Sequence, residues 1–283
     1  MRLLITGGSS FLGQHLVPLA AASHEICYTT FHNDPLGLPQ GRPLDLRQET
    51  AVQQLAAAFR PDVIIHTAGS NRVADMRAVI ESGTRHITAA AADVQARLIH
   101  LSTDSIFNGR SDDPNPPPYS ETSPPSPVNA YGEAKATAEA IVAAYPDHVI
   151  VRTSLIYSLQ QQDHSIGWMA AALKAGKPVT LFTNQRRNPV WAQTLSLACL
   201  ELATNGYHGI LNVAGQQVMT RAEFGLTMLD WWQVEKREKV ELGPSLAGEW
   251  PLDCELDLRR ATAVLKTPLL GVNDVLMQAA KTH

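Results

Sequence analysis

Apolar positions along this chain change period repeatedly, and the changes mark out an alternating series of strands and helices. Short apolar runs lie near 2–6, 25–30, 62–66, 97–102 and 148–152. They are too short for helices and apolar enough to be buried strands. Between them, near 11–22, 48–59, 74–92 and 129–144, the apolar residues recur at helical spacing, as Leu12, Leu16, Leu19 and Ala20 do in the first segment. Strand–helix alternation of this kind predicts an α/β fold with a parallel sheet covered on both faces. After Arg152 the pattern loosens. Helical stretches near 165–175, 190–204 and 221–232 are interleaved with apolar runs at Val179 to Phe182 and Ile210 to Val213. The expected organisation is a main core over 1–152 and a smaller lobe over 153–283, with some late strands returning to the core sheet.

One stretch follows neither period. Residues 110–128 are rich in Pro, Ser, Asp and Asn and contain Pro116-Pro117-Pro118. Such a segment cannot be helical and is long for a simple connection. A plain surface loop and a loop facing a ligand are both open readings.

Candidate chemistry begins at the amino terminus. The first apolar run, Arg2 to Thr6, leads into Gly7-Gly8-Ser9-Ser10-Phe11-Leu12-Gly13 and then into a helix. Strand, glycine-rich turn and helix are the parts of a Rossmann-type dinucleotide site. The first glycine permits the tight turn, Gly13 lets the helix pack closely on the strand, and free N–H groups of the helix start face a pyrophosphate. Ser10 stands where the middle glycine of the usual pattern would be. It still has an N–H and a hydroxyl to offer, with a side chain that crowds the diphosphate. The fold expected is therefore a Rossmann-type doubly wound sheet with a smaller C-terminal substrate lobe.

Further along, the runs 62–66 and 97–102 end in Thr67-Ala68-Gly69-Ser70 and Ser102-Thr103-Asp104. Ligands in open α/β sheets bind beyond the carboxyl ends of strands. Small residues there leave room for a cofactor, and hydroxyls can meet a substrate. Tyr131 and Lys135 then stand four apart at the start of a helix. That spacing puts an ammonium and a phenol on one face. A free tyrosine has a pKa of roughly 10; a nearby positive charge favours the phenolate and prepares it for proton transfer near neutrality.

With these residues in view, the chain resembles an extended short-chain dehydrogenase/reductase. Within that superfamily it is similar to the dTDP-4-dehydrorhamnose reductase branch, which also includes the regulatory beta subunit of methionine adenosyltransferase. The resemblance rests on Thr6 to Gly13, on Ser102 to Gly109, and on Tyr131 to Lys135. It continues through Arg152-Thr153-Ser154, Arg187-Asn188-Pro189-Val190 and Leu252 to Asp257. It implies a catalytic hydroxyl at Thr103, a proton donor at Tyr131 and, at Lys135, a partner that also holds the nicotinamide ribose. It further implies a diphosphate turn at Gly7, Ser9, Ser10, Phe11, Leu12 and Gly13, an adenine-side pair at Asp45 and Leu46, and a wall under the cofactor at Ala68, Gly69 and Ser70. Thr103, Asp104, Ser105, Leu155 and Arg187 become the substrate-side candidates.

Departures from the branch pattern bear on the substrate. Ser105 and Leu155 replace a usual tyrosine and tryptophan, which removes an aromatic wall for a deoxysugar. Ile80 stands where the superfamily often has an asparagine, which weakens a water-relayed proton path. The implied activity is an NAD(P)H-dependent reductase of a ketone on a nucleotide-linked sugar. A cofactor-binding regulatory subunit and a nucleotide-sugar epimerase are the alternatives.

Cofactor choice turns on the end of the second strand. NAD-specific sites usually place an acid there. This chain reads Tyr28-Thr29-Thr30-Phe31-His32-Asn33, with Asp34 only later. Hydroxyls and His32 can accept a 2′-phosphate, so NADPH is expected ahead of NADH. For the substrate, Arg187, with Arg186, offers a group suited to the phosphate of a nucleotide sugar, with a surface salt bridge as the equally open reading.

Composition narrows the class. The 283 residues are 45% hydrophobic and 18% charged, with a net charge of −4, which suits a globular protein without a nucleic-acid footprint. Cys27, Cys199 and Cys254 show no metal or redox spacing, and free thiols fit a cytoplasmic protein. None of the ten histidines forms a His-x-x-x-His pair, so no metal is expected; His66 draws notice because it closes the strand leading into the cofactor wall. No apolar run reaches the length of a membrane span. The expected partner is the small-molecule substrate, with a homodimer as the one assembly in view.

Overall fold

The computed structural model describes residues 1–69, 75–246, 248 and 250–281. Among them, a seven-stranded sheet organises the first half of the chain. In chain order it uses β1 (Arg2–Thr6), α1 (Phe11–Ala21), β2 (Glu25–Thr30), β3 (Gly41–Pro43), α2 (Glu49–Phe59) and β4 (Val63–His66). Then come α3 (Gly83–Val94), β5 (Arg97–Leu101), α4 (Ala130–Ala143) and β6 (His148–Arg152). The late run foreseen around Ile210 forms β11 (Gly209–Asn212), which pairs in parallel with β6 at the sheet edge. Strand order is β11-β6-β5-β4-β1-β2-β3. The order reverses direction between β1 and β4, so the crevice beyond their carboxyl ends is where a ligand is expected.

Burial follows the strand period of two. Leu3, Ile5, Val63, Ile65 and Ile99 share one core with α1. Leu4, Ile64, Leu98 and Ile150 point the other way, into a core with α2, α3 and α4. Both faces of the sheet are thereby covered, which is why its strands read as continuous apolar runs.

The second half is built from small pieces: β7 (Ile156–Tyr157), α5 (His164–Lys174), β8 (Val179–Phe182), β9 (Arg186–Arg187), β10 (Val190–Trp191) and α6 (Ala192–Leu202). After β11 come β12 (Met219–Thr220), α7 (Arg221–Trp231), β13 (Val240–Gly243), α8 (Arg259–Val264) and α9 (Val272–Ala280). Tyr157, Ile166, Leu181, Phe224, Met228 and Val275 belong to a separate core among these elements. The pairs β7·β10, β9·β12 and β8·β13 have too few residues to show a period, and sequence patterning leaves most of them out. By contrast α6 packs on α1 against the main sheet.

The helix expected over 74–92 is divided. A π-helical turn at Ala78–Ser82 precedes α3, and it carries the buried Ile80 into a small apolar cluster with Ala134 and Ala138, against which Tyr131 packs. Such turns commonly sit beside functional sites.

The proline-rich stretch 110–128 is a fixed strap. Tyr119 is fully buried and stacks on Phe107, with ring centroids 3.9 Å apart. Its amide donates to Glu255 O. The Arg152 guanidinium donates to the carbonyls of Glu121 and Ser123. None of Tyr119, Glu121 and Ser123 lines the cleft beside Thr103. The strap instead returns the chain from Gly109 to the start of α4. Ser126 N donates to Ile106 O at 2.8 Å. A Cβ at Gly132 would stand 2.3 Å from Ser105 O. Only a residue without a side chain lets the first turn of α4, and with it Tyr131, close on the Thr103–Ser105 turn.

Candidate active site

The glycine-rich turn is shaped by contacts that admit no side chain. Gly7 has φ +75°, and a Cβ there would lie 2.9 Å from the Ala68 backbone. A Cβ at Gly13 would fall 2.2 Å from Gly7 O. Ser10 caps α1: its hydroxyl accepts from Gly13 N at 3.0 Å, while its own amide donates to Gly7 O. The expectation that Ser10 offers both groups outward is corrected, because the turn itself engages them. Its side chain bends back onto the helix start. The amides of Phe11 and Leu12 belong to the first turn, where no intrahelical acceptor exists.

A cavity of about 240 Å³ opens before this turn, lined among others by Gly7, Ser9, Ser10, Asp45, Leu46, Ala68 and Gly69. These are expected cofactor residues gathered from three separate segments. Ser70 lies outside the described residues. Leu12 and Gly13 are buried in helix packing. His32 is exposed and does not line the cavity; its ring leans on Phe31, centroids 3.9 Å apart. Thr29, Thr30, Phe31, Leu44 and Val79 complete the walls. Asp34 is turned away, accepting from the Tyr28 hydroxyl at 2.8 Å and from the amides of Leu36 and Gly37. Arg47, which sequence reasoning passed over, sets its guanidinium 5.7 Å from the Phe31 ring centroid and is paired with Asp45 and Asp75.

A second cleft, about 550 Å³, lies beyond β5 and β6. Thr103, Asp104, Ser105, Leu155 and Arg187 all line it, so the expected substrate residues do share one wall system. Their tasks differ. Asp104 is buried and accepts from Ser154 Oγ at 2.6 Å, with Arg187 Nε 3.4 Å away. Three further Arg187 donors go to the carbonyls of Arg186, Pro251 and Leu252. This guanidinium is built into the wall, and Arg186 is held by Asp253 and Glu255. Neither arginine is the open phosphate group anticipated from the sequence.

That description fits Arg221 instead. It lines both this cleft and an adjoining cavity of about 530 Å³ that contains Trp168, Met169 and Phe224. Burial and the neighbouring Arg187 lower its pKa. It forms no ion pair among the described residues. The capping box formed by Thr220 and Glu223 fixes the helix start that carries it, and that motif is legible in sequence. The direction of the side chain is not. Phe182 and Trp250 also line the cleft. Aromatic surface is therefore present although Ser105 and Leu155 supply none.

Thr103 caps the short turn Asp104–Ile106, its hydroxyl accepting from Ser105 N at 3.2 Å. Lys135 is buried and reaches up from α4, donating to Leu101 O at 2.6 Å. Burial lowers its pKa to about 8. Its Nζ is 3.9 Å from where a Cβ on Gly69 would be, so the ammonium stands at the edge of the cofactor cavity, one strand end from Thr103. His66 is a satisfied core histidine: Thr6 and Thr84 hydroxyls meet its two ring nitrogens at 2.6 and 3.1 Å, and burial pulls its pKa to about 3.

Residues 1–266 match the family described as the RmlD substrate binding domain. The chain belongs to that family. It is 31% identical over 78% of its length to the dTDP-4-dehydrorhamnose reductase of Mycobacterium tuberculosis, covering 72% of that protein. It is 28% identical to the methionine adenosyltransferase 2 subunit beta of Xenopus laevis, over 97% of this chain and 87% of that one. A crystal structure of a hypothetical dTDP-4-dehydrorhamnose reductase from Sulfolobus tokodaii superposes with a TM-score of 0.82 at 29% identity, covering 96% of this chain and 97% of the other. The family and the Rossmann-type sheet are both as the sequence motifs imply. No helix among the described residues is long and apolar enough to cross a membrane.

Proposed function

We propose that this RmlD-family protein is an NADPH-dependent reductase of a ketone on a nucleotide-linked sugar. The observation that carries the reading is the position of the Lys135 ammonium between the glycine-lined cavity and the strand end bearing Thr103. NADPH, when bound, supplies the hydride. The first-turn amides of α1 receive the diphosphate, and Ala68 and Gly69 underlie the ribose. Thr103 Oγ hydrogen-bonds the carbonyl oxygen, Tyr131 delivers the proton to it, and Lys135 steadies the phenolate that remains. In this reading residues 1–152 mainly hold the cofactor and 153–283 mainly the substrate, in a cytoplasmic enzyme. Asp104 and Arg187 keep the cleft in shape. A regulatory subunit would have no need of Thr103, Tyr131 and Lys135 together, which favours the enzyme.

The nucleotide part of the substrate rests on Arg221. A desolvated guanidinium with no ion pair among the described residues, facing two joined cavities, suits a diphosphate, to which arginine donates in bidentate fashion. Arg221→Gln is expected to raise KM for dTDP-4-dehydrorhamnose about 10–100-fold, the worth of one charged hydrogen bond, with a much smaller change in kcat. Steady-state kinetics checks this; an unchanged KM removes Arg221 from the site.

NADPH should bind more tightly than NADH. Asp34 is occupied by Tyr28 and two amides, and Arg47 over Phe31 brings a cation to the adenosine end. Arg47→Ala should reduce the preference about tenfold. Isothermal titration with both cofactors tests it, and a wild-type preference for NADH would sink the idea.

A further inference from the structure

His100 is buried on β5, directly beneath the proposed proton-transfer site, and the reaction as described does not use it. Its Nε2 lies 3.4 Å from Lys135 Nζ. Among the described residues its Nδ1 has no hydrogen-bond partner, so the contact that can define its tautomer is the one to the lysine. On the paired strand β4, His66 stands in register with it, ring centroids 5.1 Å apart. His66 is tied at both nitrogens by threonine hydroxyls and offers no hydrogen to His100.

We propose that His100 is a positioning residue for Lys135: the neutral imidazole accepts a hydrogen bond from the ammonium through Nε2 and, with Leu101 O, fixes where the third donor points. The inference rests on the reading of Lys135 as part of the proton-transfer site. Its geometric content is a count of donors. A lysine ammonium has three N–H groups and no acceptor. Leu101 O takes one at 2.6 Å and His100 Nε2 a second at 3.4 Å. One is left for the side on which Gly69 and the cofactor cavity lie. Ile80, which stands against Gly69, has no polar group with which to share that work. Among the described residues the His100 imidazole is the side chain within hydrogen-bond distance of the ammonium.

The charged and titratable groups around His100 are consistent with a neutral ring. Lys135 faces it from α4 and His66 from β4; Glu139, farther along α4, acts on Lys135. Arg152 neutralises Glu139 in a buried pair at 2.8 Å. Burial, then Lys135, then His66 all push the His100 pKa well below its ordinary value. A neutral ring next to a charged lysine must present a lone pair to it, not a hydrogen.

The test uses the full-length protein carrying ¹³C-labelled lysine, free of substrate. The Lys135 signal, assigned by its loss in Lys135→Met, is followed from neutral to alkaline pH. The wild-type midpoint is expected near about 8. In His100→Leu the acceptor is gone, and the midpoint should fall by about one to two pH units, the worth of a hydrogen bond to a charged group. His100→Gln retains an acceptor and should stay close to wild type, a rescue that simple space-filling would not produce. Independently, ¹⁵N imidazole spectra of the wild type should show His100 Nε2 unprotonated at neutral pH. A proton on Nε2, or a His100→Leu midpoint equal to wild type, overturns the proposal; if the leucine variant does not fold, the tautomer decides. Kinetics of Tyr131→Phe with NADPH and dTDP-4-dehydrorhamnose tests the proton-transfer reading separately, because the lysine titration requires no turnover.

Discussion

Replacing Tyr131 by phenylalanine should lower kcat about 10²–10⁴-fold, the usual worth of a general acid, while NADPH affinity stays near wild type. Tyr131 enters the site through local features that the substitution leaves alone. Asn129 caps α4 by accepting from Gly132 N at 3.0 Å. Gly132 seats the helix against Ser105 O, and the ring packs with Ile80, Ala134 and Ala138. A phenylalanine keeps all of this and loses only the oxygen. Single-turnover and steady-state rates with a dTDP-linked 4-keto sugar, alongside calorimetric titration of NADPH, separate chemistry from binding. A variant with wild-type kcat would remove Tyr131 from the mechanism, and one that lost cofactor binding would show the hydroxyl to be structural.

The second large effect concerns stability. Arg152 and Glu139 form an ion pair with both side chains almost completely buried. Ser102 Oγ donates to the same carboxylate at 2.5 Å, next to Thr103. Arg152 also holds the strap through Glu121 O and Ser123 O, and lies over the Phe107 ring at 5.3 Å. Arg152→Met leaves a buried carboxylate without its counter-charge and frees two strap carbonyls. The expected loss is about 3–5 kcal/mol, measurable by urea unfolding. Adding Glu139→Leu should recover a good part of it, because an apolar pair no longer strands a charge. A single-variant loss below about 1 kcal/mol, the range of exposed pairs, would mean that water reaches Glu139 in solution. Activity should fall with stability, since Ser102, Thr103 and the strap that returns the chain to Tyr131 share this one anchor.

Much of the core could be read from period alone. Every strand expected before Arg152 is present, because buried parallel strands must be apolar throughout and helices on their faces must be apolar every third or fourth residue. The glycine-rich turn and the Tyr131–Lys135 spacing were equally legible, since both are local: neighbours in sequence are neighbours in space. The short strands β7, β9, β10, β12 and β13 left little trace. Two to four residues cannot display a period, and their pairing depends on segments far along the chain.

Sequence by itself determined the class of fold and the family, and it named the residues proposed here to bear the chemistry. Only tertiary structure decided what each charged group does. Arg186, Arg187 and Arg221 are alike in sequence, yet one is neutralised at the surface, one is spent on carbonyls and Asp104, and one, without an ion pair among the described residues, faces two cavities. His66 and His100 both sit at strand ends, yet one is satisfied by threonines and the other faces Lys135. The reason is physical. Apolar burial is non-directional and leaves its period in the chain, whereas the role of a charge is set by partners within a few ångströms, and those come from residues tens of positions away.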